Sequence, residues 1–237
     1  MAKGAKRDSG EKAKMFEHVT IPGLKFELPA FTTSDGRWYK TPEGKRYPSA
    51  STISGLLNRD VIAKWRARVG AEEADRKTKR GADRGTYIHL LCEKYLLNTM
   101  TLRENLGMMP TMKELYLQLK KEFDKHITKV YAVEQALYSD RLRIAGRTDA
   151  VVVWDGEIVI LDVKTSGYIK PVEWITNYFV QTASYAEMFE ERTGIPIKKV
   201  VIATAVEDTG FPSVHVRDKE EYLPILDKCL AEYYKEA

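Results

Sequence analysis

Asp149, Asp162 and Lys164 are the residues whose types and spacing are best suited to chemistry in this chain. Residues 144–154 and 157–164 are both rich in β-branched side chains, and Asp155-Gly156 between them is the strongest short signal for a two-residue hairpin turn. With that turn, Trp154 faces Glu157, Val151 faces Ile160, Asp149 faces Asp162 and Arg147 faces Lys164. Like charges directly opposite one another destabilise an antiparallel pair. At roughly 5 Å and an effective dielectric of 20, the repulsion is about 3 kcal/mol. A hard divalent cation with oxygen ligands relieves it, and Mg²⁺ held by one or two carboxylates commonly takes its remaining ligands from phosphates. Lys164 follows Asp162 by one strand period and so shares its face. The plainer alternative leaves Asp162 and Lys164 as a rim ion pair and Asp149 as a turn residue.

The face of the charged trio continues with Val151, Val153, Ile158 and Ile160, and the other face carries Ala150, Val152, Trp154, Val159, Leu161 and Val163. A hairpin apolar on both sides belongs in the middle of a sheet covered by helices on each face. The pattern predicts helices over 50–57, started by Ser49 or Ser51, and over 61–79, 83–97 and 112–126. A strand over 130–138 and the hairpin follow, then a helix over 172–192 that Thr193-Gly-Ile-Pro196 terminates. Strands over 199–206 and 213–216 and a helix over 219–234 complete the chain, while residues 26–47 read as short strands and turns. The first fourteen residues, with five basic and two acidic side chains, read as disordered. The resulting division is a basic tail over 1–25, strands and helices over 26–110 and a core over 111–237, forming one compact domain.

At 237 residues and 43% hydrophobic, the chain can bury a core of its own. It has no run of about 18 apolar residues and no signal peptide behind Met1, so a cytosolic or nucleoid protein without a membrane partner is expected. Cys92 and Cys229 are the only cysteines, which excludes a four-cysteine iron-sulfur cluster or zinc site. Net charge is only +4, but nine basic residues against five acids lie between Arg59 and Arg84. That run is either a phosphate-neutralising patch or a solvated helix face. His89 and Glu93 share a helix face by their spacing of four, as do Gln181 and Tyr185. Taken alone, a helical histidine is more often structural than a ligand, and a Gln/Tyr pair is ordinary helix packing.

Gly146-Arg-Thr-Asp149 followed by Asp162-Val-Lys164-Thr-Ser resembles the paired signature of the PD-(D/E)XK nuclease superfamily. Gln181-Thr-Ala-Ser-Tyr185 is similar to the Q-x-x-x-Y motif of its RecB-like branch, and Arg84-Gly-Thr-Tyr-Ile-His89 to that branch's histidine-bearing helix. The lead-in over 39–53 is similar to the mitochondrial genome maintenance exonuclease and its phage relatives. This resemblance implies an α/β fold with a restriction-endonuclease-like αβββαβ core, a central mixed sheet flanked by helices, and an N-terminal helical extension. It also implies Mg²⁺-dependent hydrolysis of DNA, with Mn²⁺ as a substitute.

Under that resemblance His89, Asp149, Asp162 and the main-chain carbonyl of Val163 hold the metal, and Lys164 orients water or stabilises charge on the phosphorane oxygens. Glu93 orients His89, while Glu134 reaches either the metal or only Lys164. Gln181 and Tyr185 contact DNA, with Arg80, Arg84 and Arg147 near phosphates; Thr165 and Ser166 bond a phosphate or simply end the strand. The histidine helix and Q-x-x-x-Y favour an exonuclease acting on DNA ends, on single-stranded or end-processed DNA, over a structure-specific endonuclease or a non-catalytic DNA-binding module. In such enzymes an arch of helices, here residues 50–97, lets aromatic residues such as Trp65 and Tyr87 stack on bases. DNA recombination, repair or replication is the implied setting, in a bacterial or phage-infected cytoplasm rather than a mitochondrial matrix. A phage or host recombination or replication protein is the implied partner.

Overall fold

The structure is a computed structural model that describes residues 14–24 and 26–236. Strand β1 (Glu17–His18) precedes a small antiparallel sheet of β2 (Ala30–Thr33), β3 (Gly36–Lys40) and β4 (Arg46–Pro48). Five helices follow: α1 (Ala50–Gly55), α2 (Arg59–Val69), α3 (Ala71–Leu96), α4 (Leu102–Gly107) and α5 (Pro110–His126). The chain then runs through β5 (Ile127–Ser139), β6 (Ile144–Trp154), β7 (Glu157–Ser166), α6 (Thr176–Thr193), β8 (Lys199–Val206), β9 (Ser213–Asp218) and α7 (Leu223–Glu236). The order from α5 to β8 is the αβββαβ core expected from the sequence. Its sheet runs β1-β5-β6-β7-β8-β9, with the β1–β5 and β7–β8 pairs parallel and the others antiparallel.

The hairpin at the centre forms for the expected reason. Asp155 and Gly156 have φ of 48° and 88°, the pair of left-handed residues that a type I′ turn needs. The ladder then pairs Trp154 with Glu157 and continues in that register to Ala150 and Leu161. On one face Ala150, Val152, Leu161 and Val163 are buried with Ile88 and Leu91 of α3 and Leu119 and Phe123 of α5. On the other, Val151 and Ile160 are buried with Phe179, Ala183 and Ala186 of α6. Each large apolar side chain so buried contributes about 1.5–3 kcal/mol, which makes the hairpin a rigid support for whatever stands at its open end. The same packing joins α3 to the strands, so the helices over 26–110 and the core over 111–237 share one interior.

Several expectations are corrected. The ladder stops at Ala150–Leu161, so neither Asp149–Asp162 nor Arg147–Lys164 is a cross-strand pair. The N–H of Val163 instead donates to Asp149 Oδ2 at 2.6 Å, and Arg147 pairs with Ala136 of β5. One helix spans Ala71–Leu96 where the pattern predicts a break near Gly81. The break falls at Gly70, whose φ of 85° is left-handed, while Gly81 continues the helix at the modest cost of a mid-helix glycine, about 1 kcal/mol. The tail expected over residues 1–25 belongs to the fold from residue 14 onward: β1 lies along β5, Phe16 and Leu24 are buried, and the Phe16 ring meets Tyr95 edge-on at 5.3 Å. Residues 1–13 lie outside the described residues. Ser49 is the helix cap, accepting from the Thr52 N–H at 3.0 Å. Among the described residues no helix is long and apolar enough to cross a membrane.

Candidate active site

At the open end of the hairpin the strands part, and polar side chains fill the gap. Asp149 stands one residue beyond the last β6–β7 pair; its Oδ2 takes the Val163 N–H, and its Oδ1 lies 3.2 Å from His89 Nδ1 of α3. On the other side of β6, the pairs Val133–Ala150 and Gln135–Thr148 bracket Glu134, which therefore sits opposite Asp149. Glu134 has a φ of 49° inside a strand. A non-glycine residue in that conformation costs about 1–3 kcal/mol, a strain that proteins concentrate at functional sites. His89, Glu134 and Asp149 each offer a ligand atom, all within 4.8 Å of one another. Beside them, Lys164 Nζ lies 2.5 Å from Asp162 Oδ2 and 5.2 Å from the centre of the Tyr178 ring on α6.

Charge at this site is out of balance. Asp162 is only 2% exposed, and its Oδ2 has no aligned hydrogen-bond donor: the lysine is close to it but off the line of a hydrogen bond. Burial, reinforced by Asp149, pushes the Asp162 carboxyl up to about 6 despite the pull of Lys164. Burial and Asp149 likewise push Glu134 up to about 7, with Glu93 adding to the repulsion. Asp149 alone moves down, because the charges of His89 and Lys164 and the bond from Val163 outweigh its burial. His89 and Lys164 are both raised, the carboxylates beside them outweighing the effect of burial. Three cationic side chains, counting Arg147, thus face four carboxylates, counting Glu93, and the shortage of positive charge is expressed as retained protons.

Those observations test whether a divalent cation fits here. A cation with ligands at about 2.1 Å keeps them within about 4.2 Å of one another, so the cluster needs only a small contraction to close on one. The donors are carboxylates with one imidazole, which suits Mg²⁺ or Mn²⁺. Val163 is placed to take part: a strand residue turns its N–H and C=O to the same edge, and its N–H points at Asp149. The residues fit the ion.

A model of the PD-(D/E)XK nuclease superfamily matches residues 49–223. The chain belongs to the PD-(D/E)XK nuclease superfamily. That family of metal-dependent nucleases accounts for the cation-deficient cluster and for the central mixed sheet flanked by helices, and it implies a DNA substrate. Among solved structures, the chain is similar to one titled "Crystal structure of SSO0001", at 13% identity, with 76% of this chain and 74% of that one covered and a TM-score of 0.35. A likeness that low carries no argument about this chain. No curated protein matches the sequence.

The superfamily motifs are brought together unequally. Asp149, His89 and Glu134 converge, with the Asp162–Lys164 pair beside them. Glu93 is half-buried on the same helix and acts on Glu134 through its charge. Tyr185 is buried at 4% exposure, accepts a hydrogen bond from Gln181 Nε2 at 3.1 Å and packs against Gly146. A Cβ on Gly146 would lie 2.7 Å from Tyr185 Cε1, which is why that position of the motif is glycine. Tyr185 is therefore held by packing against β6 in this structure. Ser166 is buried with its hydroxyl bonded to the Tyr168 carbonyl at 2.7 Å, and Thr165 accepts from Arg84 Nε at 3.0 Å. Arg84, with a side chain 12% exposed, also pairs with Glu207 at 2.9 Å, so it ties α3 to β7 and to the residue just after β8.

Arg80 and Arg147 remain at the surface, the first 3.6 Å from Glu207 and the second 3.6 Å from Glu27. Trp65 and Tyr87 line different clefts, so they do not form one stacking surface. Nothing in the sequence marks Glu207, because no motif or spacing identifies a residue just past a strand end as the partner of a helix far from it along the chain. Tyr178 is legible only as a neighbour of the Gln181 helix face; its position beside the lysine depends on how α6 docks on the sheet.

Proposed function

We propose that this protein is a metal-dependent deoxyribonuclease that removes nucleotides from DNA ends, using Mg²⁺ or Mn²⁺. The observation that carries this reading is the convergence of His89, Glu134 and Asp149 beside the buried Asp162–Lys164 pair at one end of a rigid hairpin. In it, Glu134 joins His89 and Asp149 as a ligand, with Asp162 and the Val163 carbonyl completing the set. A divalent ion held by these residues would supply charge neutralisation of the scissile phosphate and a lowered pKa for water in its coordination shell.

The chain's own residues do the rest. Lys164 keeps its proton because Asp162 and Asp149 stabilise the ammonium, and it is aimed by Asp162 and the Tyr178 ring. Such a fixed cation stabilises charge as it develops on a phosphoryl oxygen, without reorganising at the moment of reaction. Asp149 is fixed by Val163 and His89, and Gly146 with Tyr185 fixes the strand that bears it. Arg80 and Arg147, both at the surface, supply phosphate contacts that are indifferent to sequence.

The preference for ends rests on the resemblance of residues 84–89 and 181–185 to the RecB-like branch, and it is supported by His89 lying inside the cluster. Processing of ends in recombination, repair or replication, in a bacterial or phage-infected cytoplasm, is the setting that suits this activity. The test is digestion of a linear single strand and a closed single-stranded circle of the same sequence, with Mg²⁺ or EDTA. The linear strand is degraded in Mg²⁺ alone and the circle persists. Equal cutting of both moves the assignment to an endonuclease, and no metal-dependent cutting of either overturns it.

A further inference from the structure

Helix α3 carries His89 near the point where its packing begins. Ile88, Leu91, Cys92, Tyr95 and Leu96 are buried, whereas no residue over 75–87 is. Apolar contacts thus anchor the helix from Ile88 onward and leave the stretch before it to be held by other means. Gly85, four residues before His89 and therefore on its face, brings the helix close to β7: a Cβ there would lie 3.8 Å from Thr165 Oγ1. At that crossing the tie is polar. Arg84 Nε donates to Thr165 Oγ1 at 3.0 Å, and Arg84 Nη1 lies 2.9 Å from Glu207 Oε2.

Glu207 is firmly set to aim that arginine. Its main-chain N–H donates to the Ser166 carbonyl at 2.9 Å, continuing the β7–β8 pairing past the end of β8. The preceding residue, Val206, is gripped by the buried Gln118 of α5, whose Nε2 donates to the Val206 carbonyl at 2.9 Å and whose Oε1 accepts from the Val206 N–H at 2.8 Å. The carboxylate therefore projects from fixed backbone, and the planar guanidinium is caught between two strands. With side chains 12% and 26% exposed, Arg84 and Glu207 are sheltered from the solvent that weakens surface pairs. Without the carboxylate, Arg84 keeps only a neutral hydroxyl partner and turns toward water, releasing α3 from β7 about one turn before His89. That matters because the ligand atoms of His89, Glu134 and Asp149 lie within 4.8 Å of one another, and a cation draws them to within about 4.2 Å.

We infer that Glu207 is a positioning residue for the metal site: by aiming Arg84 at Thr165 it holds α3 on β7 and keeps the His89 imidazole where Asp149 and a cation both reach it. The inference rests on the metal reading above. Positioning and simple electrostatics diverge at this clamp. Removing the Glu207 charge weakens cation binding on either account, but removing the Arg84 charge tightens binding by electrostatics alone and loosens it if the clamp positions His89.

The test is titration with Mn²⁺ in the absence of DNA, following the free ion by electron paramagnetic resonance. Wild type, Glu207→Gln, Arg84→Ala, His89→Ala and His89→Ala/Glu207→Gln are compared. Glu207→Gln and Arg84→Ala each weaken Mn²⁺ binding about 10- to 100-fold, the loss expected for residues that orient a metal ligand. In the His89→Ala background, Glu207→Gln adds less than about twofold. In EDTA, amide hydrogen exchange over residues 82–89 is about tenfold faster in Glu207→Gln than in wild type. Unchanged Mn²⁺ affinity in Glu207→Gln, an equal loss with and without His89, or tighter binding by Arg84→Ala overturns the proposal. Glu207→Gln keeps the shape of the side chain, so it decides the matter should Arg84→Ala fail to fold. A wild type that binds no Mn²⁺ refutes the metal reading instead; the exchange then judges the clamp, faster exchange upholding it and unaltered exchange overturning it.

Discussion

Replacing Glu134 with glutamine should have opposite effects on stability with and without metal. Burial and the neighbouring Asp149 carboxylate push Glu134 from an ordinary 4.5 up to about 7. For a fully buried group that displacement corresponds to about 3 kcal/mol against the ionised form. Glu134 is partly exposed, so screening by solvent reduces the figure to about 1–2 kcal/mol. Between pH 4.5 and 7 the folded state holds a proton that the unfolded chain has already lost. Stability therefore falls as pH rises through that window, and the penalty is complete above it. In EDTA at pH 8, Glu134→Gln should be about 1–2 kcal/mol more stable than wild type, and at pH 4.5 the two should coincide. The slope remaining in the variant includes Asp162 and His89, both of which hold their protons more tightly in the folded state than in the unfolded chain.

Saturating Mn²⁺ reverses the order. Wild type gains stability by preferential binding of the ion to the folded state, while the variant has lost a charged ligand and gains less. Denaturant unfolding at pH 4.5 and 8, in EDTA and in Mn²⁺, measures all four states. A variant no more stable than wild type in EDTA at pH 8 would refute the charge shortage, and equal stabilisation of both proteins by Mn²⁺ would refute Glu134 as a ligand.

Lys164→Ala should lower cleavage by about 100-fold or more while leaving DNA binding near the wild-type level, measured with an end-labelled strand in Mg²⁺; full activity removes Lys164 from the chemistry. Gly146→Ala puts a Cβ 2.7 Å from a buried Tyr185 ring and should cost about 1–3 kcal/mol, read as a lower unfolding midpoint, with the smaller Tyr185→Leu added in the same chain restoring part of the loss. Tyr185→Phe removes only the hydrogen bond from Gln181, worth about 1 kcal/mol, so cleavage should stay within about fivefold of wild type. A hundredfold loss would mean that the phenol meets DNA.

Much of this architecture is legible in the sequence because it is written in local chemistry. Asp155-Gly156 specifies a turn of one type, and the turn sets the register of every pair out to Ala150–Leu161. Alternating apolar residues on both faces announce a central strand pair, and Gly194, with a left-handed φ of 72°, ends α6 where Thr193-Gly-Ile-Pro suggests. Asp149, Asp162, Lys164 and His89 stand out by spacing and motif. What the pattern does not show is where the ladder ends: a side chain that captures the Val163 N–H competes with main-chain pairing only once the strands part. Glu134 gains its importance for a similar reason, since its place opposite Asp149 follows from the β5–β6 register, and that register is shifted twice before reaching it. The roles of Tyr185, Ser166 and Arg84 depend on burial and on partners distant in sequence, which periodicity cannot reveal.

Anomalous diffraction from crystals soaked in Mn²⁺ tests the central claim most directly. The account predicts a peak about 2.1 Å from carboxylate oxygens of Glu134 and Asp149 and from a nitrogen of His89. Crystals that bind Mn²⁺ elsewhere, or not at all, while the protein in solution still cuts DNA in Mn²⁺, would contradict it.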